Sequence, residues 1–327
     1  MSSLYISLIF AAALIVIIGP LFIPLLRRLK FGQTIRADGP QAHLSKAGTP
    51  TMGGLLFFPA FILALLFWGD GSFSGFLLLF CFVALGLIGF IDDMMKVVWK
   101  RSLGLTAKQK LVWQFLAILI FLFLAVHVLG RGTEIIIPAT DIQIDLGWGY
   151  YVIISIFLVF MVNAVNLTDG LDGLASGVSF FVFLGFALIA MVAVKNPPIG
   201  GANYHDLAVG AMALVGCCLG FLFYNRHPAK IFMGDTGSLA LGGALAAFAV
   251  LTKTEFMLLL LGGVYFVEAL SVVLQVASFK LTGRRIFKMS PLHHHFEMKG
   301  WQETKVARTF CLFSAIFVLI SLLLLSL

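Results

Sequence analysis

Charge is confined to short clusters in this sequence. Between them run uncharged, apolar stretches near 4–26, 51–68, 72–91, 111–129, 149–166, 173–194, 207–224, 237–252, 256–279 and 309–326. A helix rising about 1.5 Å per residue needs roughly 20 apolar residues to cross about 30 Å of hydrocarbon. With 61% hydrophobic and 11% charged residues over 327 positions, the chain is expected to be an all-α polytopic membrane protein and not a soluble domain. Ten transmembrane helices are predicted, the eighth (237–252) being the shortest. No internal repeat or low-complexity segment divides the sequence, so residues 1–327 read as a single integral domain.

Ten spans sort the connectors into two alternating sets. One set (27–49, 94–110, 166–172, 225–235 and 280–308) holds 19 of the 22 Lys and Arg residues, and the other holds only Arg131, Lys195 and Lys253. Basic connectors stay in the cytoplasm, which predicts that both termini are extracytoplasmic. Met1-Ser2-Ser3 has no basic n-region and Arg27, Arg28 and Lys30 follow the first apolar run, so that run is expected to be a retained helix and not a cleaved leader. Residues 134–148 have the alternation of a short external β-hairpin. The net charge of +7 follows from topology and implies no nucleic-acid partner. Cys81, Cys217, Cys218 and Cys311 all lie in apolar runs with no metal-ligand spacing, and read as packing residues.

Carboxylates gather on the basic side. Asp92-Asp93, with Lys96 one turn on, ends the third run, where negative charge opposes the helix dipole. A solvated helix end explains one such residue better than two, and a bound cation or a proton-accepting role accounts for the pair. Asn166-Leu167-Thr168-Asp169-Gly170-Leu171-Asp172 joins two runs with almost no loop. Its Asp-Gly composition suits a tight turn, yet Asn166 lies deep enough to need a partner. Gly234-Asp235-Thr236-Gly237-Ser238 opens the eighth run, where Asp235 is a candidate helix cap and the glycine-bearing N-terminus a candidate phosphate seat. The two roles are compatible.

Lys46 through Gly54 enters the second run with a phosphate-seeking charge and small residues that permit close backbone approach. His293-His294-His295 follows Pro291 in the longest basic connector, an internal position that argues against a tag. His43, His127, His205 and His227 stand alone and receive no role. Glu268 is the one acid in mid-span; such acids are functional or paired inside the bundle, and Gln275 lies near the same face.

Together these segments, with Thr106-Ala107-Lys108-Gln109-Lys110 and Asn225 through Ser238, resemble the polyprenyl-phosphate N-acetylhexosamine-1-phosphate transferase superfamily over essentially the whole chain. Pro291-Leu292-His293-His294-His295-Phe296-Glu297 resembles the branch that handles phospho-MurNAc-pentapeptide. The resemblance implies transfer of that group from UDP-MurNAc-pentapeptide to undecaprenyl phosphate, giving lipid I and UMP in a bacterial plasma membrane, with the active site on the cytoplasmic face. It also implies Mg²⁺ (or Mn²⁺) held by Asp235, proton acceptance by or orientation of the lipid phosphate by Asp92, and a pocket shaped by Asp93, Asp169 and Asp172. Lys46, Lys96 and Lys108 would meet phosphates, Asn166 and Asn225 would support the nucleotide, and His293, His294 and His295 would face the sugar-peptide portion. A homodimer is the family expectation. The alternatives are a sister transferase using UDP-GlcNAc and a cation-coupled transporter; the latter calls for charges near the midplane of several helices.

Overall fold

The computed structural model describes residues 2–29, 48–97, 104–140, 142–195, 197–199 and 201–325. Lys46 lies outside them. Among the described residues, nine helices are long and apolar enough to cross a membrane: α1 (Ser2–Arg28), α3 (Phe73–Val97), α4 (Ala107–His127), α5 (Gly149–Thr168), α6 (Leu174–Ala193), α7 (Tyr204–Asn225), α8 (Gly234–Leu251), α10 (Gly263–Thr282) and α12 (Glu303–Leu325). Shorter helices are α2 (Phe57–Trp68), α9 (Leu258–Leu261) and α11 (Leu292–Glu297). This is a multi-pass helical membrane protein, as an apolar solvent demands: a helix satisfies its own backbone groups where no water can.

The eighth apolar run reaches full spanning length; the second does not. A four-residue 3₁₀ turn, Gly53–Leu56, runs into the twelve-residue α2. The helix starts late because the segment before it pairs with the strand-like stretch ahead of α8. Phe232 N–H donates to Pro50 O at 2.8 Å, Gly53 N–H to Phe232 O at 2.8 Å and Gly54 N–H to Met233 O at 2.9 Å. The ninth run is also interrupted, with α9 and Gly262 preceding the spanning helix α10.

α8 is the hub. Every residue from Thr236 to Leu251 is buried, and α3 and α5 pack along it. Its sequence, rich in Gly and Ala, lets neighbouring backbones come close where lipid supplies no hydrophobic drive for helix association. The approach is tightest at the start of α8. A Cβ at Gly89 of α3 would lie 2.1 Å from Asp235 O, and one at Gly54 would lie 2.1 Å from Gly237 Cα.

At the other end of α8 a buried ion pair fastens the bundle. Arg131 and Glu255 are both fully buried and bonded to each other. Tyr150 O–H donates to Glu255 at 2.7 Å, the Arg131 guanidinium lies 4.6 Å from the Tyr150 ring centroid, and its Nε donates to Val250 O at 3.3 Å. Beside it, β1 (Glu134–Ile136) and β2 (Gln143–Asp145) form the expected hairpin, antiparallel with Glu134 opposite Asp145. Lys253 Nζ reaches Glu134 at 3.3 Å.

Removing one member of a buried pair strands the other charge. Arg131→Met is expected to lower stability by about 3–5 kcal/mol, and Arg131→Met with Glu255→Leu to recover most of it. The unfolding midpoint in detergent checks both.

Candidate active site

The ends of α3, α5 and α7 and the starts of α4, α6 and α8 converge at one end of the bundle, bringing together carboxylates from distant parts of the chain. The first turn of α8 organises them. A helix leaves its first N–H groups without intrahelical partners, and this helix begins inside protein. Asp93, buried at the end of α3, supplies acceptors. Its Oδ1 takes Asp235 N–H at 3.2 Å, and its Oδ2 takes Thr236 N–H at 2.8 Å and Thr236 O–H at 2.7 Å. The Gly234 N–H faces Asp169 and favours its ionised form. A carboxylate from outside the helix therefore caps α8, and the Asp235 side chain does not. The capping reading of Asp235 is corrected, and with these N–H groups taken, so is the phosphate seat at this N-terminus.

Asp235 is thereby freed to face the cluster. Its Oδ2 receives Lys96 Nζ and Lys110 Nζ, each at 2.9 Å, and its Oδ1 receives Asn166 Nδ2 at 2.8 Å. Asn166 also donates to Ser238 Oγ at 2.8 Å. Asp92, almost fully buried, binds Lys96 at 2.5 Å through Oδ2 and accepts Leu105 N–H at 2.8 Å through Oδ1, which folds the start of the α4 segment over it. Burial pushes the Asp169 carboxyl well above the usual carboxylate range, reinforced by the negative charges of Asp235 and Asp93, while the Gly234 N–H opposes the shift.

Lys110 occupies the position the sequence reading gave to Lys108. The Thr106–Gln109 capping box fixes the phase of α4. At about 100° per residue, positions 108 and 110 point roughly 200° apart. Lys110 and Gln114, one turn on, face inwards, with Gln114 bonded to Asn163; Lys108 is exposed. The capping box in Thr106-Ala107-Lys108-Gln109 marks where α4 begins; which lysine turns inwards is decided by the contacts of Lys110 and Gln114 with neighbouring helices.

Asp172 belongs to a second, adjoining group. Its Oδ2 accepts Ala229 N–H and lies 3.0 Å from His227 Nδ1, which is also 3.4 Å from Glu303 Oε2. His227 and Glu303 were missed as partners, since no sequence spacing joins residues from three connectors. Asn225 is buried: it accepts Gly173 N–H and Ser176 O–H and donates to Ile231 O at 3.0 Å. It fastens the 226–231 loop to the start of α6.

The histidine run forms α11. His293 is buried, with Nδ1 3.1 Å from Glu268 Oε2, so the mid-span acid is paired. A Cβ on Gly170 would lie 2.3 Å from His293 Nε2, which sets α11 against the turn bearing Asp169 and Asp172. His294 Nδ1 lies 2.7 Å from Glu297 Oε2. His295 accepts Lys288 N–H; burial, then Lys299 and Lys288, push its imidazole below the usual range. Gln275 does not join Glu268. It accepts Ile286 and Phe287 N–H and donates to Phe287 O, holding the loop ahead of α11.

Asp92, Asp93 and Asp235 offer oxygens within 4.8 Å of one another. An all-oxygen set suits a hard divalent cation that keeps several waters. Because Asp93 is committed to α8, Asp235 and Asp92 are the available donors. The two ammonium groups on Asp235 show that this carboxylate is already a seat for positive charge.

The family model described as glycosyl transferase family 4 matches residues 75–253, and phospho-N-acetylmuramoyl-pentapeptide-transferase signature 1 matches residues 46–58. The chain is 53% identical to the phospho-N-acetylmuramoyl-pentapeptide-transferase of Desulforamulus reducens, over 94% of this chain and 91% of the relative. It is 51% identical to that of Desulfitobacterium hafniense, over 95% and 94%, and 49% identical to that of Halalkalibacterium halodurans, over 98% and 96%.

Asp93→Ala strips a charged acceptor from three donors. It is expected to cost about 1–3 kcal/mol and to speed amide hydrogen exchange at residues 234–238, whereas Lys108→Ala leaves both unchanged.

Proposed function

The chain belongs to the phospho-N-acetylmuramoyl-pentapeptide-transferase family, and on that footing we propose that it transfers phospho-MurNAc-pentapeptide from UDP-MurNAc-pentapeptide to undecaprenyl phosphate, releasing UMP and forming lipid I for peptidoglycan synthesis. The observation that carries the reading is the Asp235 carboxylate held by Lys96, Lys110 and Asn166 beside Asp92. Phosphoryl transfer asks for positioning and charge neutralisation more than for covalent help, and this cluster offers both.

An oxygen of the lipid phosphate attacks the phosphorus that bears the sugar. The new P–O bond forms as the bond to UMP breaks. Asp92 takes the proton of the attacking phosphate, or orients that phosphate when it is already dianionic. Lys96 and Lys110 turn from Asp235 to the phosphate oxygens; Lys46, Lys108 and the histidines of α11 serve the outer parts of the substrate. Asp235 would hold Mg²⁺ or Mn²⁺, which would supply charge neutralisation at the diphosphate when bound. Asp235 has cationic or amide partners on both oxygens, which favours an electrostatic role over a nucleophilic one and hence direct attack.

The proposed topology has ten crossings, counting the short α2, with both termini and the hairpin on the outer face and the site on the cytoplasmic face of the bacterial plasma membrane; the working unit is a homodimer. The distribution of basic residues supports the orientation, as does the pairing of two of the three outer basic residues with acids, Arg131 with Glu255 and Lys253 with Glu134. In inside-out vesicles a cysteine at Gln109 is expected to react with an impermeant maleimide and one at Thr140 to resist it; the reverse pattern overturns the orientation.

The reaction is tested with purified protein and undecaprenyl phosphate. UMP is expected from UDP-MurNAc-pentapeptide and not from UDP-GlcNAc, and chelation is expected to stop it. Asp235→Asn should abolish turnover, or shift any residue of it to much higher Mg²⁺. Asp92→Asn should be severely impaired at unchanged metal dependence, with a defect that shrinks as the lipid phosphate loses its second proton, whose pKa is about 6. A phosphosugar trapped on Asp235 in the Asp92→Asn protein would replace direct attack with a two-step route.

A further inference from the structure

Glu268 is fully buried in α10 and plays no part in the transfer described above. Its carboxylate is turned wholly to one residue: Oε1 accepts the backbone N–H of His293 at 3.2 Å, and Oε2 lies 3.1 Å from His293 Nδ1. Two nitrogens of a single residue thus converge on it, the arrangement that suits an ionised carboxylate, which only accepts. Nδ1, facing the carboxylate, then carries a proton, and in the neutral ring Nε2 keeps its lone pair. That second nitrogen is buried and has no hydrogen-bond partner among the described residues. It is aimed at Gly170, in the turn between Asp169 and Asp172, where any side chain would collide with it. A buried acceptor with no donor is costly, so its retention here calls for a reason beyond packing.

We infer that Glu268 is a positioning residue that holds His293 as a neutral imidazole with Nε2 ready to accept, so that the group His293 meets during turnover is a donor, a hydroxyl or amide N–H of the sugar-peptide portion, and not a phosphate or carboxylate. The inference rests on the transferase reading for the identity of that substrate. Nε2 packs against the backbone at Gly170, so the turn bearing Asp169 and Asp172 shifts as a substrate group reaches it, while Glu268 keeps the ring from turning. Reversal of the tautomer is what a glutamine at this position brings about: its carbonyl still accepts the backbone N–H, but its NH₂ donates to Nδ1. The proton moves to Nε2, which becomes a donor facing a donor. A carboxylate-to-amide change behind a histidine costs about 10⁴ in turnover in the serine protease triad through the same inversion.

The test combines turnover, UMP affinity and the ¹⁵N spectrum of labelled histidine, with the His293 signals assigned by their loss in Glu268-intact His293→Gln protein. In the unsubstituted protein Nε2 is expected in the unprotonated range. Glu268→Gln is expected to move it to the protonated range and to lower UMP release from UDP-MurNAc-pentapeptide by about tenfold or more, with UMP affinity within about twofold of the parent. Parental turnover in Glu268→Gln, a parallel loss of UMP affinity, or an Nε2 already protonated in the unsubstituted protein overturns the inference. The last readout needs no variant of Glu268 to fold. Failure of the transferase reading has a separate signature, the absence of UMP release by the parent.

Discussion

A helix that begins inside a protein, away from water, must find acceptors for its first N–H groups elsewhere in the chain, and the start of α8 is where this bundle meets that demand. Asp93 arrives from α3 to accept the N–H groups of Asp235 and Thr236, and Asp169, at the end of α5, faces the N–H of Gly234. The backbone of α3 must come within contact of α8 for this, which leaves room at position 89 for glycine alone. Much of the site's geometry follows from that one requirement. With the helix capped from outside, Asp235 is released to project sideways, and Lys96, Lys110 and Asn166 close around it.

The two ends of the bundle treat charge differently. At the hairpin end, Arg131 and Glu255 are matched one to one and sealed, with Tyr150 completing the set. That arrangement is fixed and serves packing. At the other end, Lys96 is shared between Asp92 and Asp235, and Asp235 between two lysines. Shared partners can be exchanged for phosphate oxygens or a cation without stranding a charge, so the second arrangement is suited to binding and release. The pairing of Glu268 with His293 also gives the mid-span acid a partner inside the bundle, which accounts for it without a transport pathway.

Most of the helix positions were legible in the sequence because hydrocarbon thickness sets run length and clustered charge sets the boundaries. The shortening of α2 was not, since it depends on pairing between Pro50–Gly54 and Phe232–Met233, which no local pattern encodes. The carboxylates and Asn166 could be picked out because charge at membrane borders is sparse and each residue of the group is conspicuous. Their division of labour was hidden. Composition made Asp235 the candidate cap, and only the packing of α3 against α8 shows that Asp93 takes that role. Asn225 and His227 show the same limit from opposite sides: one polar residue is spent on holding a loop, and a seemingly solitary histidine is joined to Asp172 and Glu303.

The link between Asp93 and the first turn of α8 spans 142 residues, and that distance has a meaning during biosynthesis. A ribosome adding about 5–20 residues per second takes roughly 7–28 s to cover it. Throughout that interval α3 is already made, with two adjacent carboxylates at its end and no partner in existence for one of them. Interfacial water must hold the end of α3 at the membrane surface until α8 is threaded in beside it. The depth at which the clustered carboxylates finally sit is therefore set late, by the arrival of a glycine-rich helix, and the cluster comes into being only once α8 is in place.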